Sequence, residues 1–417
     1  MIANPATNAS DLEIGPWSGI NNAIAPDRQV FQPSKDGSSR PSLVSASNVD
    51  LTDDGWPRSR PSLALDTALS NGLGGWEVGG RLFFQDGVTL YERAATDAAL
   101  ITGLSYRAAL AEHWGKVYVT DGAKHWEIDG TSVRSWGLPI PTLAGLTQGA
   151  GSLYAPGKYL VRAAFVDANS NEGGVSPTYE IELSGTAGTA AKPAQEGGIA
   201  LSVQGATADV VQVNLYVSEA NQKTTSFAGV VPIDSANDVL ITGIESIGDP
   251  PRTEFMQGPI TNADGLCSFR AFMLMWRENY IFRSEAAQPH LFHRLSVMQF
   301  PDAVVGAEGV AGGLWVATAR GLWWVTGESP EQWVPVRKTT TPVLAGSMLI
   351  SGAHIPRLQT DGLVALFATE TGLVAGMPDG ITMNMTENVY RFPSGSRASF
   401  SYVERDGLHQ ILIGITE

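Results

Sequence analysis

The sequence has a single cysteine, Cys267, in 417 residues. One cysteine cannot form an intrachain disulfide, and it excludes a zinc cluster built on cysteines. Cys267 lies in the apolar run 266–269, where a small buried side chain is a more frequent role than a nucleophile. The sequence therefore leaves the redox compartment open and predicts a core position for Cys267.

Charge and long apolar runs are also scarce. Charged residues make up 17% of the chain, below the usual quarter, and the net charge is −15. This balance argues against wrapping around nucleic acid, which needs Lys and Arg on the phosphates. It is compatible with a wall past which DNA slides, or with solubility alone. No run approaches the roughly 18 apolar residues of a membrane span. The N-terminus lacks a basic region followed by an apolar stretch, so we expect a soluble protein made in the cytoplasm.

Long amphipathic helical patterns are almost absent, whereas the chain holds 46 Gly and 24 Pro. Short apolar runs recur between Asp-Gly, Asn-Gly, Gly-Gly and Pro-Gly pairs, which mark strands and tight turns. The sequence therefore predicts an all-β protein.

A strand, a turn and a second strand rich in aromatics form a degenerate repeat. The early turns lie 35 residues apart and the late turns 51 residues apart. The turn residues are Asp86 and Gly87, Asp121 and Gly122, Gly321, and Gly372. A period of about 35 to 50 residues with three or four strands is typical of propeller blades. We predict a β-propeller with five or six blades, in which strand 410–414 joins a blade begun near the N-terminus.

Between the two sets of repeats the pattern changes. Strands at roughly ten-residue spacing predict a β-sandwich similar to a fibronectin type III module, with a flexible Gly/Ala/Thr-rich loop at 185–198. The predicted parts are an irregular N-terminal arm at 1–62, a first propeller segment at 63–150, the inserted sandwich at 151–257 and a second propeller segment at 258–417. Within the arm, residues 32–43 are expected to become ordered only beside a neighbour.

Six of the 11 tryptophans fall on the predicted blade strands. They are Trp76, Trp114, Trp126, Trp315, Trp323 and Trp324. Large aromatic side chains fill the wedge between neighbouring sheets, so core packing is the favoured interpretation. A platform for stacking carbohydrate is the alternative.

Chemical motifs are weak. His290 and His293 have HxxH spacing, but the preceding proline predicts a turn and strand without a third metal ligand. Asp50, Asp53 and Asp54 do not match a twelve-residue calcium loop and are interpreted as a hairpin turn.

His113 and His125 flank predicted strands and are interpreted as packing residues. The Asp-Gly turns lack the serine and spacing of a sialidase box. We therefore predict no catalytic, metal or cofactor site, and a propeller glycoside hydrolase is only the third alternative.

Two stretches carry a resemblance to a known family. The first combines Trp17-Ser18-Gly19-Ile20-Asn21-Asn22 with the run 46–55 and the Arg58-Ser59-Arg60-Pro61 segment. The second is the run 277–292, which holds Asn279, Ser284 and Glu285 ahead of Pro289-His290, and the pair 312–316 and 321–325 follows it. These motifs resemble propeller-bearing nozzle, hub and head-closure proteins of bacteriophage tails. They are short and structural, and they carry over no catalytic residue.

The resemblance implies a structural subunit of the virion tail, in a homo-oligomeric ring with six-fold symmetry favoured. Such a ring would scaffold the tail and line or gate the DNA exit channel, contacting other tail or portal-adaptor proteins and passing DNA without specific binding. Its expected place is the virion, after synthesis in the host cytoplasm. The alternative function is a receptor- or glycan-binding tail protein that uses exposed aromatic residues.

Overall fold

The computed structural model of the chain describes residues 32–33, 39–40, 49–51, 57–59, 69–149, 156–184, 198–242, 248–355, 358, 360–386, 390–392, 395–405 and 408–416. These residues form β-strands and three single-turn 3-10 helices, with no α-helix among them. Within the described ranges, no helix has the length and apolar character needed to cross a membrane. The predicted all-β class is confirmed as a set of small antiparallel sheets.

The chain divides into two compact units. One comprises Met1–Ala68 with Val310–Glu417, and the other comprises Leu69–Gly309. The N-terminal part of the first unit contributes two short antiparallel hairpins, of which the first falls inside the predicted arm segment 32–43. Their strands are β1 Gln32–Pro33 with β2 Ser39–Arg40, and β3 Val49–Leu51 with β4 Pro57–Ser59.

The Leu69–Gly309 unit begins with two four-stranded meanders, in which each strand pairs with the next along the chain. The first holds β5 Gly72–Val78, β6 Arg81–Asp86, β7 Thr89–Arg93 and β8 Ala98–Thr102. The second holds β9 Ala109–His113, β10 Lys116–Thr120, β11 His125–Asp129 and β12 Ser132–Ser135. Because alternate residues of a strand face opposite sides, Val117 and Val119 of β10 pack with Phe83 and Leu90 of the first meander.

A two-layer sandwich follows in the chain. Its three-stranded sheet has the order β13-β16-β19, and its four-stranded sheet has the order β15-β14-β17-β18. Buried residues from both sheets, including Tyr159, Val161, Leu201 and Val213, form one shared core. The strands are β13 Thr142–Gly149, β14 Gly157–Asp167, β15 Tyr179–Leu183, β16 Gly198–Gln204, β17 Val210–Ser218, β18 Thr225–Pro232 and β19 Val239–Ile241. Nearly all of the predicted loop 185–198 lies outside the described residues.

A five-stranded sheet then returns to the meander pattern, with the order β20-β24-β23-β22-β21. Its strands are β20 Met256–Gln257, β21 Gly265–Phe269, β22 Phe272–Arg277, β23 Tyr280–Glu285 and β24 Gln288–Gln299. Tyr118, which faces away from the first meander, packs here with Met273, Met275 and Phe292. The second meander is therefore buried on both faces within this unit.

The remaining sheets are also sequential meanders. The division between the units falls in β25 Val304–Val310. Beyond it, β26 Gly313–Thr318 pairs with β27 Gly321–Thr326, which pairs with β28 Val334–Arg337. The next sheet holds β29 Met348–Ser351, β30 Leu363–Thr369, β31 Gly372–Gly376 and β32 Thr382–Asn384. The last is the hairpin of β33 Arg397–Arg405 and β34 Leu408–Thr416, and β34 contains the predicted strand 410–414. Val364 and Leu366 share a core with Phe400 and Ile413.

Candidate functional site

The two predicted Asp-Gly turns hold their loops through the aspartate carboxylates. Asp86 accepts hydrogen bonds from the backbone N–H groups of Ser70 and Asn71, at 3.1 and 2.5 Å. Buried Asp121 accepts from the N–H groups of Ser105 at 2.7 Å and Lys124 at 2.7 Å. The following residues, Gly87 and Gly122, have φ of 57° and 87°. Both pairs therefore lie at turns whose left-handed backbone favours glycine.

Gly321 and Gly372 begin β27 and β31, at points of close approach. A Cβ on Gly321 would lie 2.2 Å from the Thr339 carbonyl oxygen, and one on Gly372 would lie 2.1 Å from Thr386 Oγ1. Their φ values of 148° and 135° add backbone strain for any other residue. Both glycines are thus required by local geometry.

Five of the six highlighted tryptophans lie on strands and pack against other side chains. Trp315 is fully buried, donates from Nε1 to the Met377 carbonyl at 3.0 Å, and contacts Trp324 at a ring distance of 4.9 Å. Trp323 is half-buried and donates to Thr318 Oγ1. Trp76 and Trp126 pack against the core shared by the first two meanders. Trp315 and Trp324, both buried, do not offer a face to a ligand.

Trp114 differs, and its predicted place on a strand is wrong. It forms the two-residue turn between β9 and β10 together with Gly115, and 57% of its surface is exposed. One face of the indole stacks on the imidazole of His113, with ring centroids 4.4 Å apart. His113 itself is buried, with Nδ1 2.8 Å from Ser268 Oγ. The exposed part of Trp114 is therefore the opposite face and the ring edge.

The other flagged residues do not form a ligand cluster among the described residues. His290 and His293 lie on β24, as the predicted strand requires, and an i, i+3 pair on a strand faces opposite sides. No group of three potential metal ligands occurs in the described part of the chain. Asp50 lies in β3, whereas Asp53 and Asp54 lie outside the described residues.

Cys267 is buried in β21, which confirms its predicted core position, and burial raises the pKa of its thiol.

The best candidate for a functional site is a cavity of about 830 Å³ within the Leu69–Gly309 unit. Three regions line it: the second meander with His113, Trp114 and Glu127, the sandwich with Glu172 and its neighbours, and the start of β24 at 287–291. This volume falls within the roughly 300 to 1,000 Å³ typical of ligand pockets.

Glu172 organises the sandwich wall of the cavity. Its carboxylate accepts hydrogen bonds from Asn214 Nδ2, from Tyr216 Oη at 2.6 Å and from Thr253 Oγ1 at 2.9 Å. Burial and the adjacent Glu172 carboxylate raise the pKa of Tyr216, so this phenol remains a hydrogen-bond donor at neutral pH. Strand β17 and the segment at Thr253 are thereby fixed to the same acidic group, which gives the wall a defined shape.

Glu127 organises the part of the cavity that the second meander lines. It accepts hydrogen bonds from Lys116 Nζ at 2.6 Å and from Arg134 Nη2. Burial, followed by the Glu127 charge, raises the pKa of the neighbouring Tyr118. At the rim, Arg252 pairs with Asp249 at 3.3 Å. Lys116 and Arg252, the Lys and Arg side chains that line the cavity, are thus paired with carboxylates, and Glu172 is the one further carboxylate among the described residues of the lining.

Most of this cavity has no signal in the sequence. Glu172, Tyr216 and Arg252 lie in no recognisable motif, and they meet residues of the second meander only through the fold. The sequence pattern points to Trp114, but it predicts a strand at that position. Its pairing with Gly115 in a short linker between two apolar runs is the one local signal of an exposed turn.

Comparison with known proteins does not show which family the chain belongs to. No protein-family model matches the chain. No curated protein matches its sequence. Among solved structures, the chain is similar to BBS1N, crystallised in complex with ARL6DN, at 9% identity over 84% of this chain and 89% of that chain, with a TM-score of 0.32. It is also similar to Kluyveromyces lactis Hsv2, at 8% identity over 82% and 98%, TM-score 0.22. Saccharomyces cerevisiae Sqt1 matches at 9% identity over 75% and 93%, TM-score 0.20. Superpositions this loose carry no argument about the chain.

Proposed function

We propose that the chain is a non-enzymatic structural subunit of a bacteriophage tail. It would assemble as a six-fold ring of identical copies that scaffolds the tail and lines or gates the DNA exit channel. The observation that carries the proposal is the role of the motif residues at 277–292, which carry the resemblance to tail nozzle, hub and head-closure proteins.

These motif residues serve architecture. Asn279 donates from Nδ2 to the Phe300 carbonyl at 2.8 Å and thereby closes the turn region beside β23. Ser284 is fully buried and accepts from the Met273 N–H at 3.0 Å. The Pro289 carbonyl accepts from Trp136 Nε1 at 2.8 Å, which ties β24 to the segment after the second meander. A motif whose residues hold sheets together supports a family defined by a scaffold rather than by a reaction.

The same proposal includes a β-propeller of five or six blades. Support comes from the first strands of consecutive sheets in the Leu69–Gly309 unit. The Arg107 Nε atom just before β9 lies close to Gly74 of β5, and His113 of β9 contacts Ser268 of β21. A Cβ on Gly309 of β25 would in turn lie 2.6 Å from the Ser268 carbonyl oxygen. Neighbouring first strands are what the blades of a propeller share around their axis.

In this scheme five sheets are blades, and the sixth combines two hairpins. Each of the five has one of these strands at its edge: β5, β9, β21, β25 or β29. The sixth would bring together β3–β4 and β33–β34, so that strands from both ends of the chain complete one blade. The predicted sandwich would project from the propeller between the second and third blades.

Ring assembly and virion location are tested separately. The purified full-length chain would be imaged by negative-stain electron microscopy, where class averages with six-fold symmetry are expected. Antibody raised against the chain would then be used for immunogold labelling of virions of the source phage, with pre-immune serum as the control. Gold at one fixed place on the tail is expected. Absence of gold from both intact and osmotically opened particles would overturn the tail assignment.

A further inference from the structure

Trp114 occupies a backbone position that suits tryptophan poorly. Trp114 and Gly115 have φ of 53° and 77°, so both residues of this hairpin turn are left-handed. Such turns favour Asn-Gly or Gly-Gly, because a bulky side chain is strained at positive φ. The corresponding turn of the preceding meander is Gly79-Gly80, with φ of 60° and 71°. The hairpin geometry therefore does not require tryptophan.

Burial does not explain Trp114 either. The side chain is 57% exposed, whereas the buried tryptophans of this chain, such as Trp136 and Trp315, are nearly inaccessible. Local strain that brings no core packing is a frequent feature of ligand sites. Here the strained residue lines the 830 Å³ cavity, with one face supported by His113 and the other uncovered.

The chemistry of the cavity selects the class of ligand. Lys116 and Arg252 are paired with carboxylates, so a strongly anionic ligand would have to displace those partners. Glu172 already accepts three hydrogen bonds from neutral groups, so its position does not depend on a bound cation. What remains is a cavity lined both by the Trp114 indole and by carboxylate and hydroxyl groups, which suits a neutral ligand with many hydroxyl groups and one apolar face.

We propose that this cavity binds a neutral saccharide, with Trp114 as the stacking platform and His113 as its support. The C–H groups on one face of a pyranose ring lie against the indole, while the hydroxyl groups of the sugar exchange hydrogen bonds with the polar wall. This site goes beyond the scaffold function and does not depend on it, because it lies wholly within the Leu69–Gly309 unit.

The test uses the fluorescently labelled full-length chain on a glycan array that holds neutral, sialylated and sulfated oligosaccharides. Binding to neutral glycans is expected. The best neutral oligosaccharide on the array is then titrated by calorimetry against the wild type and two variants. Trp114→Asn installs the residue that the turn prefers, and we expect its affinity to fall by a factor of about ten or more. Tyr106→Ala removes another exposed aromatic ring, 68% accessible and outside the cavity, and is expected to bind like the wild type.

The stability of Trp114→Asn separates a binding role from a folding role. Its Tm is expected to equal or exceed that of the wild type, because Asn-Gly suits this turn. Failure of the wild type to bind any neutral glycan would overturn the proposal, and so would unchanged affinity in Trp114→Asn. Binding restricted to anionic glycans would refute the ligand class. A large loss of Tm in Trp114→Asn would show that the ring serves folding. None of these results bears on ring assembly or on virion labelling.

Discussion

His125 couples the stability of the Leu69–Gly309 unit to pH. Its Nδ1 lies 2.9 Å from Thr120 Oγ1, and its ring packs edge-on against Trp136. Its Nε2 is buried and has no hydrogen-bond partner among the residues that the structure describes. Burial lowers the pKa of His125 to about 4, against the opposing charge of Asp121. In the unfolded chain the imidazole takes up this proton near the ordinary histidine pKa of 6.5. The stabilisation that comes from keeping His125 neutral in the fold is therefore complete above pH 6.5 and is lost as the pH falls towards 4.

Urea unfolding at pH 7 and pH 4.5 should reveal this loss. Since each pKa unit corresponds to 1.36 kcal/mol, His125 alone should lower the free energy of unfolding by about 2–3 kcal/mol between these pH values. In His125→Gln that part of the pH dependence should disappear. All other titratable groups are shared by the two proteins, so the difference between their two curves isolates His125. Parallel curves for wild type and His125→Gln would contradict the assignment.

Gly376 sets the space available to Trp315. A Cβ at this position would lie 2.6 Å from Trp315 Cε2, and the indole is fully buried. Gly376→Ala should therefore destabilise the chain by about 1–3 kcal/mol through overpacking. Gly414→Ala is the matched control, because no atom lies within 4 Å of its added Cβ. Its urea midpoint should stay at or slightly above that of the wild type. Equal midpoints for the two variants would show that the space beside Trp315 adapts without cost.

At the scale of elements, three fully buried serines make the same pair of hydrogen bonds. Each is at or beyond the end of a strand's regular ladder, and its hydroxyl accepts an N–H from a neighbouring strand while donating to the carbonyl of the next residue. Ser176 accepts from Ala163, Ser218 from Leu160 and Ser284 from Met273, at 3.0, 2.9 and 3.0 Å. The corresponding carbonyl acceptors are Pro177, Glu219 and Glu285. The hydroxyl thus replaces a backbone partner that the ladder no longer supplies.

Alanine at these positions should leave a buried N–H without its partner. We expect Ser284→Ala and Ser218→Ala each to cost about 1–3 kcal/mol in urea unfolding. Ser401→Ala, at an exposed position of β33, should be nearly neutral. If the buried variants matched Ser401→Ala, ordered water or local shifts would have to satisfy the freed N–H groups.

The strands most accurately predicted are those bounded by turn residues. In the sequence, Gly157 and Asp167 bound a largely apolar run, which predicts a strand with these ends, and β14 coincides with it. In contrast, β13 was not predicted. Its alternation is interrupted at Gly145, where the ladder to β16 shifts register and φ reaches 61°. The three-residue β19 is too short to carry a periodic signal.

The cavity shows the limit of a single sequence. Glu172, Tyr216 and Thr253 meet because strands and loops far apart in the chain converge, and no residue pattern reports that convergence. The exposed state of Trp114 could have been predicted only from recognising Trp114-Gly115 as a two-residue turn. Tryptophan is rare in such turns, so its apolar character favoured a strand instead.

At the scale of the whole molecule, net charge should govern self-association. Each copy carries a net charge of −15, so copies in the proposed ring would repel one another at low ionic strength. The Debye length falls from about 30 Å at 0.01 M salt to about 8 Å at 0.15 M, which screens that repulsion. Apolar contacts by exposed side chains such as Leu295, 75% accessible, are not weakened by salt.

The fraction of rings, measured by mass photometry at pH 7.5, should therefore rise between 0.01 and 0.15 M NaCl. The same series at pH 5.5, closer to the isoelectric point of about 4.8, provides an internal control. At pH 5.5 the net charge is smaller. The fraction of rings at 0.01 M NaCl should therefore be higher than at pH 7.5, and it should change less as salt is added. A ring fraction that falls with salt at pH 7.5 would contradict this account, because it would mean that pairs of opposite charge, rather than apolar surface, hold the copies together.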